Sequence, residues 1–214
     1  MDKKKSTTIA MSLMAIFSLS GILVLLGDDY AKLAPVTLII GIVFYFVTRG
    51  AEEKNGMSLK EVPKHLKDWK TDVLILMPLA MNVICYAVAK IALPEFLEHL
   101  SDRIDFLSFG SILFLLAELM IAALGEEIAW RGFFQNKLSK FVPFPLALLI
   151  TAILFSICHF SADSFIVVLY DLLFIIVNAV FYGLVYKKTS NILVCTMSHF
   201  LANVFGVFGL LLMM

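Results

Sequence analysis

Charge is what this chain has least of. Only 16% of its 214 residues are charged, while 61% are hydrophobic. Soluble domains run closer to a quarter charged and half apolar. With a mean hydropathy of +0.94, this excludes an ordinary soluble domain and predicts an all-α, polytopic membrane protein. Cysteine is also scarce. Cys85, Cys158 and Cys195 each lie inside an apolar run, an odd number with neither disulfide nor zinc-ribbon spacing, and read as small buried thiols. No basic face is interleaved with exposed aromatics, so nucleic acid is excluded as a partner. There is no internal repeat and no interrupted pair of apolar segments to support a transporter. The seventeen basic and seventeen acidic residues cancel, so net charge selects no partner.

What is there is a series of apolar runs. Seven spans are predicted, at about Ile9–Leu26, Pro35–Thr48, Asp72–Leu93, Phe109–Leu138, Pro145–Phe160, Phe165–Tyr186 and Ile192–Met214. The first is too long for a signal-peptide core and has no clear cleavage site after it. One integral-membrane domain over 1–214 fits this pattern. Between the second and third spans, Ser58 precedes Leu59, Val62, Leu66 and Trp69 at helical spacing, with Lys60, Lys64 and Lys67 opposite. That pattern predicts a basic amphipathic helix lying in the membrane interface.

The basic residues set the orientation. With the amino terminus inside, fourteen of the seventeen fall on the inner side, leaving Lys32, Lys90 and Arg103 outside. The positive-inside rule therefore predicts a cytoplasmic amino terminus.

Against this apolar background, Glu126-Glu127-Ile128-Ala129-Trp130-Arg131 stands out. Ionisable groups at membrane depth are costly and mark functional sites. On a helix, Glu127 and Arg131 are four apart and share a face, so they can pair. Glu126 and Arg131 are five apart, about 140° around the axis. Glu126 is thus left to point elsewhere. The structural alternative is a charge cluster snorkelling from a helix end.

Two more polar groups follow in later spans. His159 closes Phe155-Ser156-Ile157-Cys158-His159, and His199 and Asn203 lie four apart on one face. Singly, each reads as an interhelical hydrogen bond, as do Asn82, Asp171 and Asn178. Together, two Glu, one Arg, two His and one Asn supply a general base, metal-ligand types and amide donors. Counted from the inner helix ends at ~1.5 Å per residue, Glu126 lies ~18 Å deep, His199 ~12 Å and His159 ~21 Å. These depths predict a water-filled cavity opening to the cytoplasmic side.

Glu126-Glu127-x-x-x-Arg131, Phe155-x-x-x-His159 and His199-x-x-x-Asn203 resemble, in order and spacing, the three motifs of the CAAX-protease and bacteriocin-processing (Abi) family of intramembrane peptidases. The resemblance covers about 109–214. It implies a peptide-bond hydrolase in a bacterial plasma membrane, acting on a peptide or protein at the bilayer. Glu126 would be the general base, His159 its partner in orienting water, and His199 with Asn203 the oxyanion stabilisers. Glu127 and Arg131 would hold the site together. The family carries a metallopeptidase label, often zinc (Zn²⁺), for which Glu126, His159 and His199 would be ligands with one open position. There is no His-Glu-x-x-His helix, and a glutamate-activated water would use the same residues, so both chemistries stay open. Some relatives are non-proteolytic membrane immunity or regulatory proteins, the alternative function.

Overall fold

The computed structural model describes residues 3–23, 25, 34–49, 56–104, 107 and 110–213. The end of the first run, 26, and the start of the fourth at Phe109 lie outside them. The described residues are 85% helical, with no strand among them. In order, the helices are α1 (Lys3–Leu23), α2 (Ala34–Thr48), α3 (Val62–His65), α4 (Trp69–Ala92), α5 (Glu95–Ile104), α6 (Ile112–Glu127), α7 (Asn136–Leu138), α8 (Phe144–Ile157), α9 (Phe165–Thr189) and α10 (Ile192–Leu211). A π-helical segment, Ile128–Gln135, joins α6 to α7 without a break. Each of the seven predicted runs holds a helix or, for the fourth, this continuous rod. Four of the helices (α1, α4, α9 and α10) are long and apolar enough to cross a membrane, and α2 and α8 are shorter.

The predicted interfacial helix at 58–69 does not form as one piece. A 3₁₀ turn, Leu59–Glu61, leads into the single turn of α3, where Pro63 sits in the first turn. Proline is tolerated there because the first helical N–H groups lack partners in any case. Ser58 makes no side-chain cap. Asp68 instead caps α4, accepting from the Lys70 backbone N–H at 3.1 Å. Trp69 therefore opens a spanning helix, and both it and Leu59 remain exposed. The segment is tied down at its other end, where the Asn191 amide donates to the Ser58 carbonyl at 3.0 Å.

Local chemistry also sets the later boundaries. Lys187 and Lys188 occupy the last turn of α9, where cations meet the negative end of the helix dipole. Ser190 then adopts a left-handed conformation with φ 50°, closing the helix as glycine commonly does. Asn191 caps α10 by accepting from Leu193 N–H at 2.9 Å. The stretch 95–104, which carries no span, is a helix whose buried residues Phe96, His99 and Leu100 repeat at helical spacing.

The π segment is the centre of the bundle. All eight of its residues are buried, with Trp130, Phe133 and Phe134 packed among Met14, Tyr45, Phe155 and Ile192. Helix α2 lies directly against it, and Gly41 makes that approach possible. A Cβ added at Gly41 would stand 2.5 Å from Ala129 Cβ and 2.8 Å from Ala129 Cα. Because that obstacle includes backbone, it cannot swing aside. Gly41→Val should therefore destabilise the fold by about 1–3 kcal/mol through overpacking, measured as a lower apparent Tm in detergent. A wild-type Tm would show that α2 is free to move off the π segment.

Candidate active site

The site is built on the junction of α6 with the π segment. Glu127 and Arg131 are both fully buried. One Arg131 nitrogen donates to Glu127 Oε1 at 3.0 Å, and another donates to the Ala179 carbonyl on α9 at 3.1 Å. The guanidinium also lies over the rings of Phe155, 4.6 Å from the centroid, and Tyr182, at 5.2 Å. This is not a snorkelling charge. The pairing expected from sequence is present, sealed between α6, α8 and α9.

Glu126 turns the other way, as its angular offset predicts. Its Oε2 stands 3.6 Å from His199 Nε2 and 3.9 Å from His159 Nε2, and no hydrogen-bond partner for it lies within reach among the described residues. The hydrogen bonds on the far sides of both rings fix their tautomers. His159 Nδ1 faces the Phe155 carbonyl at 2.9 Å, which can only accept, so Nδ1 carries the proton. His199 Nδ1 faces Glu127 Oε1 at 2.8 Å, and the carboxylate, paired with Arg131, likewise accepts. In their neutral forms both rings therefore aim an Nε2 lone pair at Glu126. Glu126 Oε2 thus faces two imidazole lone pairs, an arrangement suited to a water or a proton shared among them. The His199 ring is held by stacking on Tyr182, centroids 4.4 Å apart. His159 was expected inside the fifth span, but α8 ends at Ile157 and His159 sits on the turn after it. That position explains why it was the deepest of the three by residue counting.

Glu126, His159, His199 and Asn203 share a cavity of about 400 Å³. Its wall continues through Asn178 and Glu118 to Arg103 and Asp171. The cavity therefore extends toward α5, the end opposite the basic helix termini. The aromatic packing around the π segment lies toward the other end.

Residues 108–205 match the family model described as type II CAAX prenyl endopeptidase Rce1-like. This is the family that the three motifs resemble. No curated protein and no solved structure gave a significant match. The matched segment is just under half the chain and contains all seven motif residues, Glu126, Glu127, Arg131, Phe155, His159, His199 and Asn203.

Several residues around this site were not evident from the sequence. Tyr182 supports both His199 and Arg131, yet reads as one more aromatic in an apolar helix. Glu118 lines the cavity and lies two turns before Glu126; its charge in an apolar run was the available signal. At the far end, buried His99 on α5 stands between two carboxylates. His99 Nδ1 is 3.0 Å from Asp163 Oδ2, and its Nε2 is 3.7 Å from Asp171 Oδ2. Arg103 also donates to Asp171. This cluster joins α5 to α9 and to the loop that follows His159.

Two outcomes follow. Arg131→Ala should lower folded yield in membranes, because losing one partner leaves Glu127 as an uncompensated buried charge, costing about 3–5 kcal/mol. Glu126→Gln keeps the shape and should leave yield normal. Equal yields would place the Arg131 pair in contact with solvent. The second outcome concerns His99, which the Asp171 carboxylate, aided by Asp163, holds above the ordinary histidine pKa against the opposing effect of burial. A raised folded-state pKa stabilises fully below the unfolded value of ~6.5 and loses that contribution as pH rises through the folded value. The Tm difference between wild type and His99→Gln should therefore be largest near pH 6 and shrink toward pH 9. A constant difference would show that His99 stays neutral.

Proposed function

We propose that this chain is an intramembrane endopeptidase that hydrolyses a peptide bond of a membrane-associated, leader or signalling peptide. The observation that carries the reading is the convergence of Glu126 Oε2, His159 Nε2 and His199 Nε2 in one buried cavity. Glu126 takes a proton from a water oriented by His159, and the hydroxide attacks the scissile carbonyl carbon. The carbonyl oxygen becomes an oxyanion that accepts hydrogen bonds from Asn203 and His199. Glu126 then returns the proton to the leaving nitrogen, the C–N bond breaks, and an acid and an amine are released. His199 differs from Asn203 in one respect. With Nδ1–H committed to Glu127, its Nε2 donates only when the ring carries a second proton. Glu127 and Arg131 hold the ring that must do so.

Zinc is the proposed cofactor to be tested. Glu126, His159 and His199 are the donor types a catalytic zinc takes, and each Nδ1 is already held by an acceptor, as in ligating histidines. As placed, no group of three or more His, Cys, Asp or Glu among the described residues could hold an ion. The steps above are accordingly written for side chains alone. We further propose one integral domain crossing a bacterial plasma membrane seven times, with the amino terminus inside. Lys188 pairs with Asp68 at 2.7 Å, which supports placing the two basic loops on one side.

Mass spectrometry of new termini, on a prenylated CAAX peptide and on a library of leader-like peptides, tests the activity. Membranes with wild type should cleave at one or more sequences and Glu126→Gln at none; cleavage by both would remove Glu126 from the reaction. Cysteines introduced at 62 and 188 should label from the cytoplasmic side and one at 102 from the opposite side. All three labelling together would defeat the topology.

His199 and Asn203 should behave as one unit. Alanine at either should lower turnover about 10²–10³-fold, and the double variant should fall well short of the product of the two losses. Metal content measured on the same proteins separates the two chemistries. Stoichiometric zinc lost with His199→Ala but kept with Asn203→Ala would make His199 a ligand. Full activity in both variants would defeat the site.

A further inference from the structure

One polar chain in the cavity wall is not used by the chemistry proposed above. The Asn82 amide on α4 donates to the Ala202 carbonyl on α10 at 2.9 Å, and the Asn178 amide on α9 donates to Asn82 Oδ1 at 2.8 Å. The direction of this relay is forced. A backbone carbonyl only accepts, so Asn82 must turn its NH₂ toward Ala202 and its oxygen toward Asn178. Asn178 must then present its own NH₂ to Asn82, and Asn178 Oδ1 becomes the loose end. That oxygen is buried, and among the described residues no donor lies within hydrogen-bond reach of it.

A buried acceptor without a donor is unfavourable, and its position makes it informative. Asn82 and Asn178 line the same cavity as Glu126, His199 and Asn203. Asn178 lies one turn before Tyr182, which stacks on His199, and next to Ala179, whose carbonyl holds Arg131. A peptide that enters this cavity leaves behind the water that served its backbone N–H groups, and each needs an acceptor inside the protein. In the proposed reaction His199 and Asn203 serve the substrate's carbonyl oxygen as donors, while Glu126 is occupied with water. The wall still requires an acceptor for the neighbouring N–H.

We infer that Asn178 Oδ1 accepts a backbone N–H of the bound peptide, which makes Asn178 a substrate-binding residue that sets the register of the chain beside Glu126. Asn82 acts through Asn178, its amide fixing which end of Asn178 is presented. An interhelical bond serving only to join α4, α9 and α10 has no use for a free acceptor. The inference rests on the endopeptidase reading and adds the group on the peptide that is recognised.

A backbone N-methyl scan tests it. A peptide cleaved by wild type, taken from the library above, is fluorescently labelled, methylated at one backbone nitrogen at a time, and titrated against protein carrying Glu126→Gln. With Asn178 present, methylation at one position should weaken Kd about tenfold more than with Asn178→Leu, the size expected of one lost hydrogen bond. Because Asn178→Leu strands Asn82 Oδ1 and can impair folding, Asn82→Leu combined with Asn178→Leu is measured alongside. That pair removes both polar groups and should show the same loss of position dependence. A methylation profile identical in all three proteins, or tight binding of the unmethylated peptide to the double variant, would overturn the inference and leave the endopeptidase reading standing. Failure of wild type to cleave any library peptide would overturn both.

Discussion

The fully buried contact between Glu127 and Arg131 is the interaction on which the rest of this structure depends. Taking two charges out of water is costly, and the cost is met only when each finds further partners. Arg131 finds the Ala179 carbonyl and the faces of Phe155 and Tyr182, and Glu127 finds His199. These partners come from three other helices: Phe155 from α8, Ala179 and Tyr182 from α9, and His199 from α10. The pair therefore does more than neutralise itself: satisfying it brings α8, α9 and α10 to defined positions around α6. A bundle of apolar helices in lipid has no strong hydrophobic reason to choose one packing over another, and a buried ion pair with several required partners provides one.

The same pair separates two adjacent carboxylates into different tasks. Glu127 is held by a guanidinium and an imidazole. Glu126, one residue earlier, faces a cavity with no hydrogen-bond partner for its Oε2 in reach among the described residues. Their chemical difference comes entirely from the 100° between successive positions on a helix. The π segment begins immediately afterwards, and such segments are frequent at functional sites. It carries Arg131 inward without breaking the rod, so the cation reaches Glu127 while Trp130, Phe133 and Phe134 fill the core.

These features differ in how far the sequence discloses them. The pairing of Glu127 with Arg131 and the outward turn of Glu126 were legible, because both are consequences of local helical geometry. The helices of the bundle were legible from apolar runs, although the π segment within Ile128–Gln135 was not, since nothing in the apolar spacing marks a change of hydrogen-bond register. His159 was placed inside a helix because the apolar run continues to Phe160; the helix ends earlier, and apolar content says nothing about where a turn begins. Asn82 with Asn178, and His99 with Asp163, are contacts across 96 and 64 residues. No periodicity relates such positions, so only the folded chain reveals them.

The two short helices carry a consequence for the surrounding lipid. In the proposed topology α2 and α8 cross with 15 and 14 residues, about 23 and 21 Å at 1.5 Å per residue. A typical hydrocarbon core is ~30 Å thick. Both helices pack against α1, so the shortfall is concentrated on one flank of the bundle instead of being averaged around it. Hydrophobic mismatch of this kind is relieved by thinning the adjacent bilayer. In that topology the protein would make its own locally thin patch of membrane, and the length of the acyl chains around it would become a variable of the site, because α8 carries Phe155 and ends at the turn bearing His159.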